Sequence, residues 1–84
     1  MIPNRQLADL RTRPFPVQGG WDETGRTYRK DTTCSWADAE RAHVGYAREF
    51  PGSASRQPVE VIAQRGGFST GEMDRFAPGW VALS

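Results

Sequence analysis

Cysteine and histidine occur once each, as Cys34 and His43, and that scarcity closes off several chemistries. A lone cysteine forms no internal disulfide, and one cysteine with one histidine falls short of any zinc site of known spacing, so neither a metal nor a cofactor is expected. A Cys–His catalytic dyad fails on geometry. Both residues fall on the main helix read below, and about nine residues at ~1.5 Å each part their backbones by ~13 Å, beyond hydrogen-bond reach. Long apolar runs are also missing. No stretch approaches the ~20 residues of a membrane span, and Met1-Ile2-Pro3-Asn4 has neither the basic start nor the apolar run of a secretory signal. A soluble protein of a reducing cytoplasm, with no membrane contact, is the expectation.

Charge of one sign is lacking as well, since 11 Lys/Arg against 10 Asp/Glu leave a net charge of +1. The distribution is uneven: residues 1–30 hold six cations and three carboxylates, residues 31–84 five and seven. A mildly basic front half therefore meets a mildly acidic back half. Leucine and isoleucine are scarce, so three Trp, four Phe and two Tyr must supply the large apolar bodies of the core. At 84 residues there is room for one domain. The reading divides it into an N-terminal arm over 1–16 and an α+β core over 17–84.

Residues 35–65 anchor that core. On a helical wheel Trp36, Ala39, His43, Tyr46, Ala47 and Phe50 share one sector, with Asp38, Arg41, Gly45, Arg48 and Glu49 opposite. Ser35 is placed to cap this helix through the Asp38 amide, and Pro51-Gly52 ends it. Beyond the polar loop Gly52–Ser55, Val59, Val61 and Ala63 alternate with Glu60, Ile62 and Gln64. That pattern predicts a strand over Val59–Arg65, with Pro58 at its start.

Asn4 is a candidate cap for a short helix over Arg5–Arg11, before Arg13-Pro14-Phe15-Pro16 forces an extended course. Val17–Trp21 and Arg26–Lys30 read as a β-hairpin around Asp22-Glu23-Thr24-Gly25, anchored by Trp21 and Tyr28. In the tail, Ser69-Thr70-Gly71-Glu72 has capping-box spacing, with Phe68 and Met73 placed as a hydrophobic staple. A short helix over 70–77 follows, stopped by Pro78-Gly79, and Trp80–Leu83 folds back on the core or pairs as a last strand. The predicted architecture is a small α+β domain, an antiparallel sheet of hairpin plus third strand packed on one main helix, with a short C-terminal helix.

No catalytic residue emerges. Cys34, at the start of the main helix, is where the helix dipole can lower a thiol pKa. His43 lies in the apolar sector and reads as a packed residue bonded to a backbone carbonyl. The carboxylates at Asp22/Glu23, Asp38/Glu40, Glu60 and Glu72/Asp74 do not converge, and each has a local task in a turn, a cap or a solvated face. Arg65-Gly66-Gly67-Phe68 has the look of an Arg-Gly-Gly fragment but occurs once, and reads as a turn. The candidate binding surface is Arg26, Tyr28, Arg29 and Lys30 on the hairpin with Arg5, Arg11 and Arg13 on the arm. Cations around an aromatic platform suit phosphate contact and base stacking, while the competing reading is an edge strand guarded by charge.

In size, single-domain α+β layout, absence of catalytic groups and arginine-rich composition, the chain resembles the small orphan proteins of bacteriophages and mobile elements, among them the anti-CRISPR proteins. The resemblance rests on the whole architecture and on no single residue. It implies a non-enzymatic, phage-encoded inhibitor acting in the host cytoplasm, blocking a host protein or ribonucleoprotein complex of defence or nucleic-acid processing by stoichiometric binding. A small nucleic-acid-binding module using the basic hairpin and arm is the alternative.

Overall fold

One long hairpin, whose two halves face opposite ways, runs from the core to the surface. The computed structural model describes residues 9–22, 24–52 and 54–83. Strands β1 (Phe15–Gln18) and β4 (Thr32–Cys34) pair antiparallel as Phe15↔Cys34, Pro16↔Thr33 and Val17↔Thr32. Further out, β2 (Gly20–Trp21) and β3 (Tyr28–Arg29) pair as Gly20↔Arg29 and Trp21↔Tyr28. Each pair of numbers has the same sum, so one hairpin register runs from the core to the turn. The expected Val17–Trp21/Arg26–Lys30 hairpin is therefore present, and it starts inside the arm: Phe15 and Pro16 belong to the central strand.

Asp22 makes the turn. Its carboxylate accepts from the Thr24 amide, the Thr24 hydroxyl and the Arg26 amide, while Gly25 takes a φ of +71°. Such an Asx turn with a left-handed glycine is what joins two antiparallel strands tightly.

Between the two halves the ladder breaks at Gly19. A Cβ there would stand 2.1 Å from the Arg29 carbonyl oxygen, so only glycine permits the close crossing. Strict alternation would continue the buried row of Phe15 and Val17 into Trp21. Past the break the row is turned over instead: Arg29 faces the helical side, while Trp21 and Tyr28, both 62% exposed, face solvent.

Helix α1 (Trp36–Glu49) starts as its cap predicts, with the Asp38 amide donating to Ser35 Oγ at 3.1 Å. Ala39 and Ala42 are its buried residues, and Trp36 and Tyr46 pack against the core. The side opposite the apolar sector is partly covered. Gly45 lies so close to the final helix that a Cβ would meet Phe76 atoms at 3.1–3.3 Å, and Arg41 donates to the Pro78 carbonyl at 3.2 Å. Phe50, expected inside, is 46% exposed.

The predicted strand over Val59–Arg65 is a helix, α2 (Val59–Gln64), which corrects the third strand of the expected sheet. Val59 and Ala63 are buried and Ile62 packs beside them, an i, i+3, i+4 set that the alternating reading overlooked. The two glycines that follow close it. The Gly67 amide donates to the Ile62 carbonyl at 2.8 Å and the Gly66 amide to Ala63 at 3.1 Å, a Schellman closure with positive φ at both residues. The Arg-Gly-Gly segment is thus a turn.

The sheet gains a different third strand, β5 (Phe68–Ser69), parallel to β1, giving the order β4-β1-β5. Helix α3 (Thr70–Phe76) follows at once with its capping box complete: Ser69 N–H donates to Glu72 Oε1 at 2.9 Å, and Glu72 N–H to Ser69 Oγ at 3.1 Å. Phe15, Val17, Cys34, Ala39, Ala42, Val59, Ala63, Phe68, Met73 and Ala77 form the buried cluster between sheet and helices. Burying each large member stabilises by about 1.5–3 kcal/mol. The tail does both things expected of it. Trp80 packs on the cluster, and Leu83 bridges to the outer edge of β4, its amide donating to the Thr33 carbonyl at 2.8 Å.

Candidate functional site

The cations singled out in the sequence divide into those bound internally and those left on the surface. Arg29 is bound: its guanidinium meets Asp74 at 2.5 Å and lies 5.7 Å from the Trp80 ring centre, while Trp80 donates its indole N–H to the other Asp74 oxygen at 2.7 Å. This triad clamps the hairpin to α3, so Arg29 leaves the candidate surface. Arg11 is bound as well, to Glu40 at 2.9 Å and Glu60 at 3.0 Å, with its guanidinium 4.8 Å from the Trp36 ring centre. It ties the N-terminal segment across α1 and α2.

Arg5 lies outside the described residues, as does most of the helix expected over Arg5–Arg11, of which Asp9 and Leu10 are helical. Arg13 is exposed and fixes its backbone rather than its charge, its carbonyl accepting the Trp36 indole N–H at 2.6 Å. Arg26 and Lys30 are exposed and form no ion pair among the described residues. Of the seven positions, Arg26, Tyr28 and Lys30 stay exposed on the hairpin.

Trp21 joins them, and sequence reasoning left it off the surface. Its ring meets Tyr28 edge-on, with centres 5.6 Å apart and planes at 83°. A cross-strand aromatic pair of this kind contributes about 0.5–1.5 kcal/mol to holding a hairpin together. That accounts for the pair's shape. It leaves unexplained why both large rings are turned to water when the chain is short of apolar bodies for its core.

Electrostatics at the hairpin are balanced rather than basic. From Gly19 to Asp31 the chain carries Arg26, Arg29 and Lys30 against Asp22, Glu23 and Asp31. Two of those carboxylates serve the backbone, Asp22 in the turn and Asp31 accepting from the Gly19 amide at 2.7 Å. The Thr24 hydroxyl and the Arg26 amide hold the Asp22 carboxyl below its ordinary pKa.

Elsewhere the chemistry is quiet. Cys34 ends β4 rather than lying on the helix, and it is fully buried. Burial, with Asp38 adding to it, pushes its thiol up to about 11, the opposite of an activated nucleophile. His43 makes the expected bond to a backbone carbonyl, with Nε2 3.1 Å from the Ser55 oxygen, but it is half-buried and outside the core cluster. Among the described residues no three His, Cys, Asp or Glu side chains are grouped to hold a metal ion. None of the described helices is long and apolar enough to cross a membrane. Surface clefts include one of about 180 Å³ between Tyr46, Ile62, Arg65 and Phe68 and one of about 550 Å³ against Tyr46, Phe50, Glu72 and Arg75, the second within the ~300–1,000 Å³ of small-molecule sites. No protein-family model matches the chain, and neither a curated protein nor a solved structure does.

Proposed function

We propose that this chain is a non-enzymatic binding protein whose interface is centred on the outward face of the hairpin, Trp21 and Tyr28 with Arg26 and Lys30 beside them. One observation carries the reading: two large rings, 62% exposed each, are held in a fixed edge-to-face pair on an arm clamped to the core. Tryptophan, tyrosine and arginine are the residues most enriched at binding hot spots, and a pre-organised aromatic surface loses little entropy on docking. Stoichiometric blocking of a host defence or nucleic-acid-processing complex by a phage-encoded inhibitor is the form of this activity that resemblance to small phage proteins implies. It asks nothing of the chain beyond a rigid fold and an interface.

The nucleic-acid module is supported less well. With Arg29 and Arg11 committed to Asp74, Glu40 and Glu60, the described cations that the hairpin and arm keep outside ion pairs are Arg13, Arg26 and Lys30, set beside the carboxylates of Asp22 and Asp31. The test is affinity capture from the cells in which the chain acts, using the parent protein and a Trp21→Ala/Tyr28→Ala variant in parallel. The reading expects a species captured in stoichiometric amount by the parent and lost with the variant, while circular dichroism shows both folded. Equal capture by the folded variant moves the interface off the hairpin, and capture of nucleic acid that falls steeply with salt replaces the protein partner.

A further inference from the structure

The outer hairpin and the tail are each lightly anchored, and they meet at one carboxylate. Among the described residues none between Gly19 and Thr33 belongs to the buried cluster, and Arg29 makes the one side-chain hydrogen bond from β2 and β3 to the rest of the fold. A two-stranded hairpin without further packing is marginally stable in water. The outer half therefore depends on its dock against α3.

The tail, residues 78–83, is a strap laid over α1 and β4. Arg41 donates to the Pro78 carbonyl at 3.2 Å, the Val81 amide to Asp38 Oδ2 at 3.2 Å, and the Leu83 amide to the Thr33 carbonyl at 2.8 Å. The hydroxyls of Thr32 and Thr33 donate to the Leu83 carbonyl at 3.2 and 3.0 Å. Val81 and Leu83 are themselves 63% and 41% exposed, so hydrogen bonds rather than burial hold this part down. Trp80 is the side chain through which the strap packs on the buried cluster.

Asp74 joins the two segments. Its Oδ2 takes the Arg29 guanidinium and its Oδ1 the Trp80 indole N–H, while the guanidinium stands 5.7 Å from the Trp80 ring centre. Each partner supports the other's bond. With the ring in place the Arg29–Asp74 pair is shielded from water, and lifting the ring raises the local dielectric and removes the aromatic face from the cation. Withdrawing Arg29 leaves a part-buried carboxylate with the indole as its sole side-chain donor. Two lightly held segments that share one acceptor open together.

We infer that the tail is a latch on the hairpin: strap and outer hairpin open as one unit through Asp74, so drawing Leu83 off β4 loosens the Trp21–Tyr28 face, and holding that face tightens the strap. The coupling runs equally in both directions, as linkage requires. As regulation of an interface it rests on the hairpin being the interface, but as a property of the fold it is measured without any partner.

Native-state amide exchange of the full chain, followed by NMR, is the test. Leu83→Pro removes the amide that donates to Thr33, at an exposed position. Exchange of the Asp22 amide, which donates to the Thr27 carbonyl at 2.8 Å, should then quicken about fivefold or more, while the amide of Ala42 in the middle of α1 keeps its parental rate. Thr32→Val with Thr33→Val, which strips the hydroxyl donors from the Leu83 carbonyl, should act in the same direction. In an Arg29→Ala background neither change should affect Asp22 further, because the link is already cut. An unchanged Asp22 rate, an equal acceleration at Ala42, or an effect that survives Arg29→Ala overturns the latch. Each of those results leaves the hairpin standing as the interface, which the capture experiment decides separately.

Discussion

Replacing Arg29 by glutamate sets a second carboxylate against Asp74 and empties the place beside the Trp80 ring. Both members of the Arg29–Asp74 pair are about two-thirds withdrawn from solvent, at 31% and 32% exposure. Two unit charges ~4 Å apart attract by about 1 kcal/mol in water and ~4 kcal/mol at the effective dielectric of partly buried sites, and desolvation offsets much of the larger figure. With ~0.5–1 kcal/mol for the cation over the indole, removal of the side chain in Arg29→Ala should cost about 1–2 kcal/mol. Arg29→Glu adds repulsion of similar size and should cost roughly 2–3 kcal/mol. Arg26→Glu, at an exposed position, should stay within ~0.5 kcal/mol of the parent. Urea unfolding followed by circular dichroism measures all three, and for a domain of this size the Arg29→Glu midpoint should fall by roughly 10 °C or more on heating. A double-mutant cycle with Asp74→Asn should return a coupling of about 1 kcal/mol. Equal stability of Arg26→Glu and Arg29→Glu would refute the clamp and return Arg29 to the surface.

Three further outcomes follow from the same packing. Ser69→Ala should cost about 0.5–2 kcal/mol through loss of the cap, with amide exchange quickening first over Thr70–Phe76. Gly67→Ala should destabilise by roughly 3 kcal/mol or more, because its Cβ would have to occupy space 1.7 Å from the Pro16 carbonyl oxygen at a φ of +83°, and the variant's unfolding midpoint reads this directly. Cys34 has a folded-state pKa raised from 9.0 to about 11, so its contribution is intact below the unfolded value and is lost as pH rises. Stability should therefore decline between pH 9 and 11 in the parent and less in Cys34→Ala, while thiol labelling at pH 8 should wait on unfolding.

Caps and turns were legible because they are local. Ser35, the Ser69–Glu72 box and the Asp22–Gly25 turn each bring their partners within four residues, and the structure forms all three. The Val59–Arg65 segment was misread because a run this short satisfies both periods: Val59, Val61 and Ala63 alternate, while Val59, Ile62 and Ala63 repeat helically. The Gly66–Gly67 closure decides between them, and its meaning as a helix end appears once its amides are seen to reach Ala63 and Ile62. Gly45 falls opposite the apolar sector on the wheel, yet its lack of a side chain allows α3 to approach there. Arg11 and Arg29 were read as free because their partners lie 49 and 45 residues away, beyond any local pattern. The outward turn of Trp21 depends on the break at Gly19. Unbroken alternation from Val17 would have put the ring inside, so its place on the surface could not be read from period alone.

Calorimetric titration of the captured partner against the parent and the Trp21→Ala/Tyr28→Ala variant tests the central claim most directly. The pair lies on a clamped arm outside the buried cluster, so its removal should cost the fold about 0.5–1.5 kcal/mol and leave it cooperative. The account predicts one-to-one binding by the parent and an affinity lower by at least about tenfold, ~1.4 kcal/mol, in the folded variant. Parental affinity in a variant with parental circular dichroism would contradict it.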